Sequence, residues 1–259
     1  MTDLINLRTD GAVAEVVLNK PDKKNALCNT MWAAIPDLIG QAVANPEVRV
    51  LLLHGGGNGV FAAGADISEF DTAYGNEGAI HASGRLMEKA LSALEHCAKP
   101  VIAAVNGPCY GAGVALAVAC DFRVASETAR FCVPPAKLGL TFPAGDTRRL
   151  LGLVGPGLTR DMLLTARVVN ASDALTLGLV ERLCEDDAIM AARSLATAMA
   201  ELSPTSHRLL KTMVHGVLSG WGDDAPEADT LFVEGFSSED HTEGRAAFSE
   251  KRRPIFKGR

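Results

Sequence analysis

The 259-residue sequence predicts an α/β fold with a wholly helical C-terminal part. Three observations predict it. Apolar runs recur at 12–19, 48–55 and 100–107, each short enough for a strand and too continuous for a one-sided helix. Between them lie stretches with apolar residues every three to four positions, the helical period. Beyond about Cys184 the strand-like runs stop and helical patterning alone remains. The chain therefore divides into a strand-containing core over 1–187 and a helical region over 188–259.

The elements follow in order. "AVAEVVLN" (12–19) reads as a strand and "PDKKNAL" as the turn behind it. Asn29 or Thr30 is placed to cap a helix running roughly to Asn45, with Trp32, Ile35, Leu38 and Ile39 on one face and Pro36 bending it slightly. "VRVLLLHG" (48–55) has the continuous apolarity of a strand buried on both sides. A helix over about 81–97 follows, with Leu86, Ala90, Leu91 and Leu94 at helical spacing. "PVIAAVNG" (100–107) is a second buried strand, and "FRVASETARFCV" (122–133) reads as a pair of short strands.

Composition excludes several function classes. Hydrophobic residues make up 47% of the chain, ample for one sizeable core, and with only 5% aromatics that core must be packed with Ala, Val and Leu. A formal charge of −6 argues against a nucleic-acid partner, because neutralising phosphates requires a basic face. The cysteines at 28, 97, 109, 120, 132 and 184 form no CxxC pair. They read as small buried hydrophobes in a reducing compartment, with no metal site and no disulfide. The first residues lack the features of a signal peptide, and no apolar stretch is long enough to span a membrane. The expectation is a soluble cytoplasmic protein.

Two loops of small residues carry the functional signal. "FAAGADI" (61–67) follows the strand at 48–53, and "NGPCYGAGVALAVACD" (106–121) follows the strand at 100–105. Small side chains let a ligand approach the backbone, and free N–H groups at a helix start attract negative charge. Two such loops can aim two N–H donors at one oxygen, an oxyanion hole suited to a carbonyl that becomes an enolate. Either loop alone is also an ordinary packing device. "GAGVA" is no dinucleotide fingerprint: its glycine spacing is wrong and no ribose-binding acid follows.

Together with "VVLNKPDKKNAL", "KPVIAAVNG", "KLGL…RRLLGLVG", "ALTLGLVERL" and the terminal "EKRRPIFK", the loops resemble the crotonase, or enoyl-CoA hydratase/isomerase, superfamily, nearly end to end and in order. The resemblance implies a crotonase-type spiral of ββα repeats, a helical C-terminal trimerisation region, and a homotrimer or hexamer (a dimer of trimers). It implies an acyl-CoA thioester as substrate, coenzyme A entering as part of that substrate and no separate cofactor. By position the oxyanion donors are the N–H groups of Ala65 and Ala112. The family usually has glycine at 112, and alanine keeps the N–H provided its φ is negative. The resemblance further places CoA along Lys24, Ala26, Leu27, Ala63, Asp66 and Ile67, with Phe256 and Lys257 closing a neighbouring subunit's site. For Lys24 a solvated turn lysine is an equal reading.

The acid–base machinery departs from the pattern. Hydratases of the family carry one glutamate three residues beyond the oxyanion glycine and another after the proline of the next strand. Here those positions are Ala115 and Pro135. Neither moves a proton, and each lost group is worth ~10²–10⁴-fold. Asp146, on the position of a family glycine in "PAGDTRRLL", is one replacement acid or base; it also reads as a helix N-cap. His81, Glu69, Asp71, Cys109, Tyr110 and Cys132 lie in segments bordering the expected pocket, with surface or packing roles as the alternative. Three functions stay open: a hydratase- or isomerase-type enzyme with a relocated proton carrier, a non-catalytic acyl-CoA-binding protein, and another reaction on the same scaffold, such as thioester hydrolysis or decarboxylation.

Overall fold

A computed structural model describes residues 3–258. In chain order the elements are β1 (Ile5–Asp10), β2 (Val13–Leu18), α1 (Asn29–Ala44), β3 (Val50–His54), α2 (Phe70–Ala73), α3 (Glu77–Glu95), β4 (Val101–Val105), β5 (Pro108–Tyr110) and α4 (Ala112–Val118). There follow β6 (Phe122–Ser126), β7 (Arg130–Cys132), α5 (Ala144–Thr165), β8 (Val169–Asn170), α6 (Ala171–Thr176), β9 (Arg182–Cys184), α7 (Ala188–Ala200), α8 (Pro204–Leu218), α9 (Pro226–Ser237) and α10 (Glu239–Glu250).

Six strands form one sheet in the order β1-β2-β3-β4-β6-β9, parallel except for the β1–β2 hairpin. A second sheet, β5-β7-β8, takes the short strands β5 and β7 that directly follow β4 and β6 in the chain, together with β8. The two halves of 122–133 are thus strands, but of different sheets. The apolar runs are continuous because both faces of the large sheet are covered. Leu51, Leu53, Val101 and Ala103 face the main core with α1, α3 and α4. Their neighbours Val50, Leu52, Ile102 and Ala104 face Ala188, Ile189, Ala192 and Ala196 of α7. α7, the first helix after the last strand, is therefore the second cover of the sheet. Its Arg193 pairs with Glu15 of β2, which also receives the ring of buried His54 at 3.2 Å.

Two helix starts differ from expectation. Cys28, not Asn29 or Thr30, is the N-cap of α1; Asn29 is its first helical residue, and its N–H donates to Glu69 at 3.0 Å. α3 begins four residues earlier than the apolar spacing marks, because the Asn76 side chain caps it by accepting from Ala79 N–H. Among the described residues no helix is long and apolar enough to cross a membrane.

Candidate active site

The two small-residue loops are sewn together by backbone bonds. Phe61 and Ala62 N–H both donate to Pro108 O at 3.1 Å, and Tyr110 N–H donates to Ala62 O at 2.9 Å. On its other side the first loop is held by residues 24–27: Ala63 N–H donates to Lys24 O, Leu27 N–H to Gly64 O, and Asp66 N–H to Leu27 O. Leu27 and Ala65 thereby form a parallel bridge in which Ala65 uses neither its N–H nor its C=O. The Ala65 N–H has no partner among the described residues.

Gly64 and Gly111 make the approach possible. Gly64 sits at φ 111° with Tyr110 O directly against it, and Gly111 sits at φ 49° with Gly64 Cα and Pro134 Cδ as its neighbours. Gly111 N–H is occupied by Cys132 O, and Ala115 N–H returns to Gly111 O as the first turn of α4. Ala112 is the first helical residue, so its N–H has no intrahelical acceptor. Its φ is not among the positive ones, so the methyl group is accommodated without strain. Two free donors, on Ala65 and Ala112, thus sit on loops in mutual contact.

The proposed CoA-lining residues fall into three groups. Ala26 and Leu27 are buried, Ala63 and Ala65 half-buried, and Ile67 exposed. Lys24 is exposed and, like Asn25, left-handed. Asp66 is buried, with its carboxylate engaged by Lys20 at 2.5 Å and by the Ser68 N–H and hydroxyl. Those bonds hold it down to about 2. Its side chain therefore fixes the loop. Phe256 lies against Gly244 of its own α10, its carbonyl accepting from Arg49, while Lys257 N–H donates to Asp240.

Ala115 is fully buried and Pro135 opens a short helical turn, so neither family position offers a carboxylate. Glu69 is committed to the start of α1, Asp71 is exposed, and His81 is exposed beside Glu77. Burial pushes the Cys109 thiol well above its usual value and raises Cys132, as suits packing rather than nucleophilic chemistry. Asp146 is different. It is not the N-cap of α5, which is Pro143, but the third helical residue. The residue is 2% exposed; Oδ1 accepts from Arg149 at 3.1 Å and Oδ2 has no partner among the described residues. Burial, against the pull of Arg149, pushes it up to about 6.

Sequence reading missed two residues. Asn25, fully buried, donates from Nδ2 to Gly55, Val60 and Phe61 carbonyls and accepts Lys20 N–H. Its signal was the "KN" pair in a turn, since Asn tolerates the left-handed region that it occupies. Tyr74, half-buried against Phe70, has its phenol raised by burial and by the Glu69 charge. Nothing in the local pattern marked it.

A family model described as enoyl-CoA hydratase/isomerase matches residues 8–259. The chain belongs to the enoyl-CoA hydratase/isomerase family. It is 37% identical to a short-chain-enoyl-CoA hydratase of Clostridium acetobutylicum over 95% of both chains. It is 33% identical to a carnitinyl-CoA dehydratase of Salmonella enteritidis over the whole of both. A crystal structure of an enoyl-CoA hydratase/isomerase family protein from Hyphomonas neptunium superposes with a TM-score of 0.96 at 52% identity, covering 99% of this chain and 98% of that one. As a member of the enoyl-CoA hydratase/isomerase family, the protein has the crotonase fold expected from its loops.

Proposed function

We propose that the protein binds an acyl-CoA thioester and stabilises its enolate between the N–H groups of Ala65 and Ala112. The observation that carries this is the pair of unpartnered donors on two loops bonded to each other. Such a pair is preorganised: the loops are ordered before substrate arrives, so little reorganisation accompanies charge development on the oxygen. CoA enters as part of the substrate along residues 24–27 and 63–67, with Asp66 and Asn25 holding the wall rather than touching the ligand. The reaction is of the hydratase/isomerase type at the α-carbon. Hydration of a simple enoyl-CoA is poor, because Ala115 and Pro135 supply no proton carrier.

The assembly we propose is a homotrimer or a dimer of trimers. Leu210, Val214 and Leu218 of α8, Phe232 and Phe236 of α9, and Phe248 of α10 are more than half exposed in the single chain, an apolar surface beyond what a monomer usually leaves to water. In that assembly the tail at Phe256 and Lys257 reaches a neighbouring site. Light scattering giving one subunit mass at micromolar concentration excludes it.

Calorimetry with butyryl-CoA tests the function. Binding is expected, and the thioester oxygen should lie within about 3.1 Å of both nitrogens in the complex. No heat of binding, or a carbonyl elsewhere, overturns the reading.

A further inference from the structure

His54, the last residue of β3, is buried against Glu15 of β2. Glu15 does not need it. Arg193 of α7 already holds both carboxylate oxygens, Oε1 through Nε and Oε2 through a terminal nitrogen at 2.9 Å. An imidazole added to a satisfied ion pair is a weak source of stability, since an apolar side chain of similar size fills the space without a desolvation cost.

The other edge of the ring has a different partner. Nδ1 accepts the Gly56 N–H at 3.1 Å. A backbone N–H only donates, so Nδ1 is bare, and the ring proton sits on Nε2, which donates to Glu15 at 3.2 Å. Burial lowers the pKa of the ring and keeps it in this neutral form. The carboxylate thus selects the tautomer, and the tautomer aims one acceptor at one backbone N–H.

That N–H belongs to a turn in contact with both donor loops. The turn runs from Gly55 to Val60 and closes so tightly that a Cβ on Gly55 would stand 1.9 Å from Val60 O. Asn25 Nδ2 ties Gly55 O to Val60 O and Phe61 O, at the entry to the loop that carries Ala65. Gly59 O presses on the second loop, where a Cβ on Gly107 would stand 2.0 Å from it. Gly107 leads into Pro108, whose carbonyl takes the Phe61 and Ala62 N–H groups. Ala62 in turn lies against Gly113, the neighbour of Ala112. A shift of Gly56 is therefore passed by backbone contacts to both loops, to one through Phe61 and to the other through Gly107.

We propose that His54 is a positioning residue for the donor pair, fixing the Gly55–Val60 turn through Nδ1 and with it the separation of the Ala65 and Ala112 N–H groups. The proposal rests on the thioester reading above. Arg193 and Glu15 are the outer members of the same relay: they set the ring, the ring sets the turn, and the turn sets the loops. His54 itself touches no substrate and moves no proton.

His54→Asn and His54→Gln each keep half of the imidazole. The Oδ1 of His54→Asn stands where Nδ1 does and still accepts from Gly56, whereas the Nε2 of His54→Gln reaches Glu15 and leaves Gly56 without an acceptor. The test binds butyryl-CoA, labelled with 13C at the thioester carbon, to the full chain of wild type and both variants. Infrared difference spectra read the carbonyl stretch, which falls as donors polarise the C=O. Calorimetry reads affinity, and thermal unfolding reads the fold. Wild type should bind with the stretch lowered below its value in water. His54→Asn should keep most of that shift, and His54→Gln should lose roughly half or more of it, as donors are misplaced. The affinity of His54→Gln should fall by no more than about tenfold, the worth of one hydrogen bond. Both variants should unfold earlier than wild type, so a shift kept in His54→Asn alone is not an effect of stability. A wild-type shift in His54→Gln, or an equal loss in both variants, overturns the role of His54 while leaving the donor pair standing. Wild-type binding without a shift removes the donor pair and the proposal with it. No binding of butyryl-CoA by wild type removes the thioester reading and the proposal together.

Discussion

Gly113, the second residue of α4, is so close to Ala62 that a Cβ on it would stand 2.9 Å from both the Ala62 Cβ and the Ala62 carbonyl oxygen. That contact sets the spacing between the two donor loops. Gly113 has an ordinary negative φ, so the constraint is steric. Gly113→Ala should push helix and loop apart, costing about 1–3 kcal/mol of stability as overpacking does. Turnover should fall more than tenfold, since misplacing one oxyanion donor costs about 10²–10³. Thermal unfolding and steady-state kinetics read both; wild-type values for both would show that the spacing tolerates a methyl group.

Ala112→Gly should do little. In the proposed site the donor is the backbone N–H, which glycine keeps, and Ala112 is already the first helical residue with no positive φ. A change in kcat below about threefold is expected, with a stability loss of up to about 1 kcal/mol from placing glycine in a helix. A large gain in rate would mean that the methyl obstructs the carbonyl.

Asn25 is the residue whose loss should hurt the fold most. Asn25→Ala removes the donor of three backbone carbonyls, those of Gly55, Val60 and Phe61, and leaves alanine at φ 54°. Unpaired buried carbonyls and left-handed alanine each cost on the order of 1–3 kcal/mol. A loss of about 2–4 kcal/mol in denaturant unfolding is expected, together with weaker butyryl-CoA binding. Asn25→Gly relieves the backbone alone and should recover about 1 kcal/mol of it.

These three residues show how far the sequence could be read. The runs at 48–55 and 100–107 announced strands covered on both faces, since that signal is local, and the small residues after them announced loops that pack backbone to backbone. The role of Asn25 was not legible: its partners lie some thirty residues away in sequence. Asp146 was legible as a polar residue in the right segment, but a helix N-cap and a buried carboxyl look alike until Pro143 is seen to hold the cap. The cap of α1 was missed for the converse reason. Glu69, forty residues on, satisfies the N–H that a local side chain was expected to take.

Asp146 should also make stability depend on pH. Its carboxyl is pushed from 3.8 to about 6 by burial. Below about pH 4 it is protonated in both folded and unfolded chains and costs nothing. As pH rises from 4 to 6 the unfolded chain loses its proton first, so stability falls, and the full cost remains above pH 6. Asp146→Asn should therefore be more stable than wild type above pH 6, by about 1–3 kcal/mol, with the gain vanishing near pH 4. Equal pH profiles for the two proteins would mean that Oδ2 is solvated in the folded state.

The family glutamate position in α4 offers the sharpest contrast between scaffold and chemistry. Ala115→Glu puts a carboxyl back at 115, yet hydration of crotonyl-CoA should stay within about threefold of the wild-type rate. Adding water needs one group to take a proton from the water and another to deliver one to the α-carbon. Pro135 leaves the second position empty, and Pro135 cannot simply be exchanged without altering the turn it opens at 135–138. Ala115 is also fully buried, as part of the main hydrophobic core. A glutamate there enters a packed wall, so it should titrate high and destabilise the fold by several kcal/mol at neutral pH. Steady-state hydration assays and unfolding of Ala115→Glu check both halves. Hydration raised a hundredfold by Ala115→Glu alone would show that a second proton carrier, with Asp146 the first candidate, already faces the β-carbon.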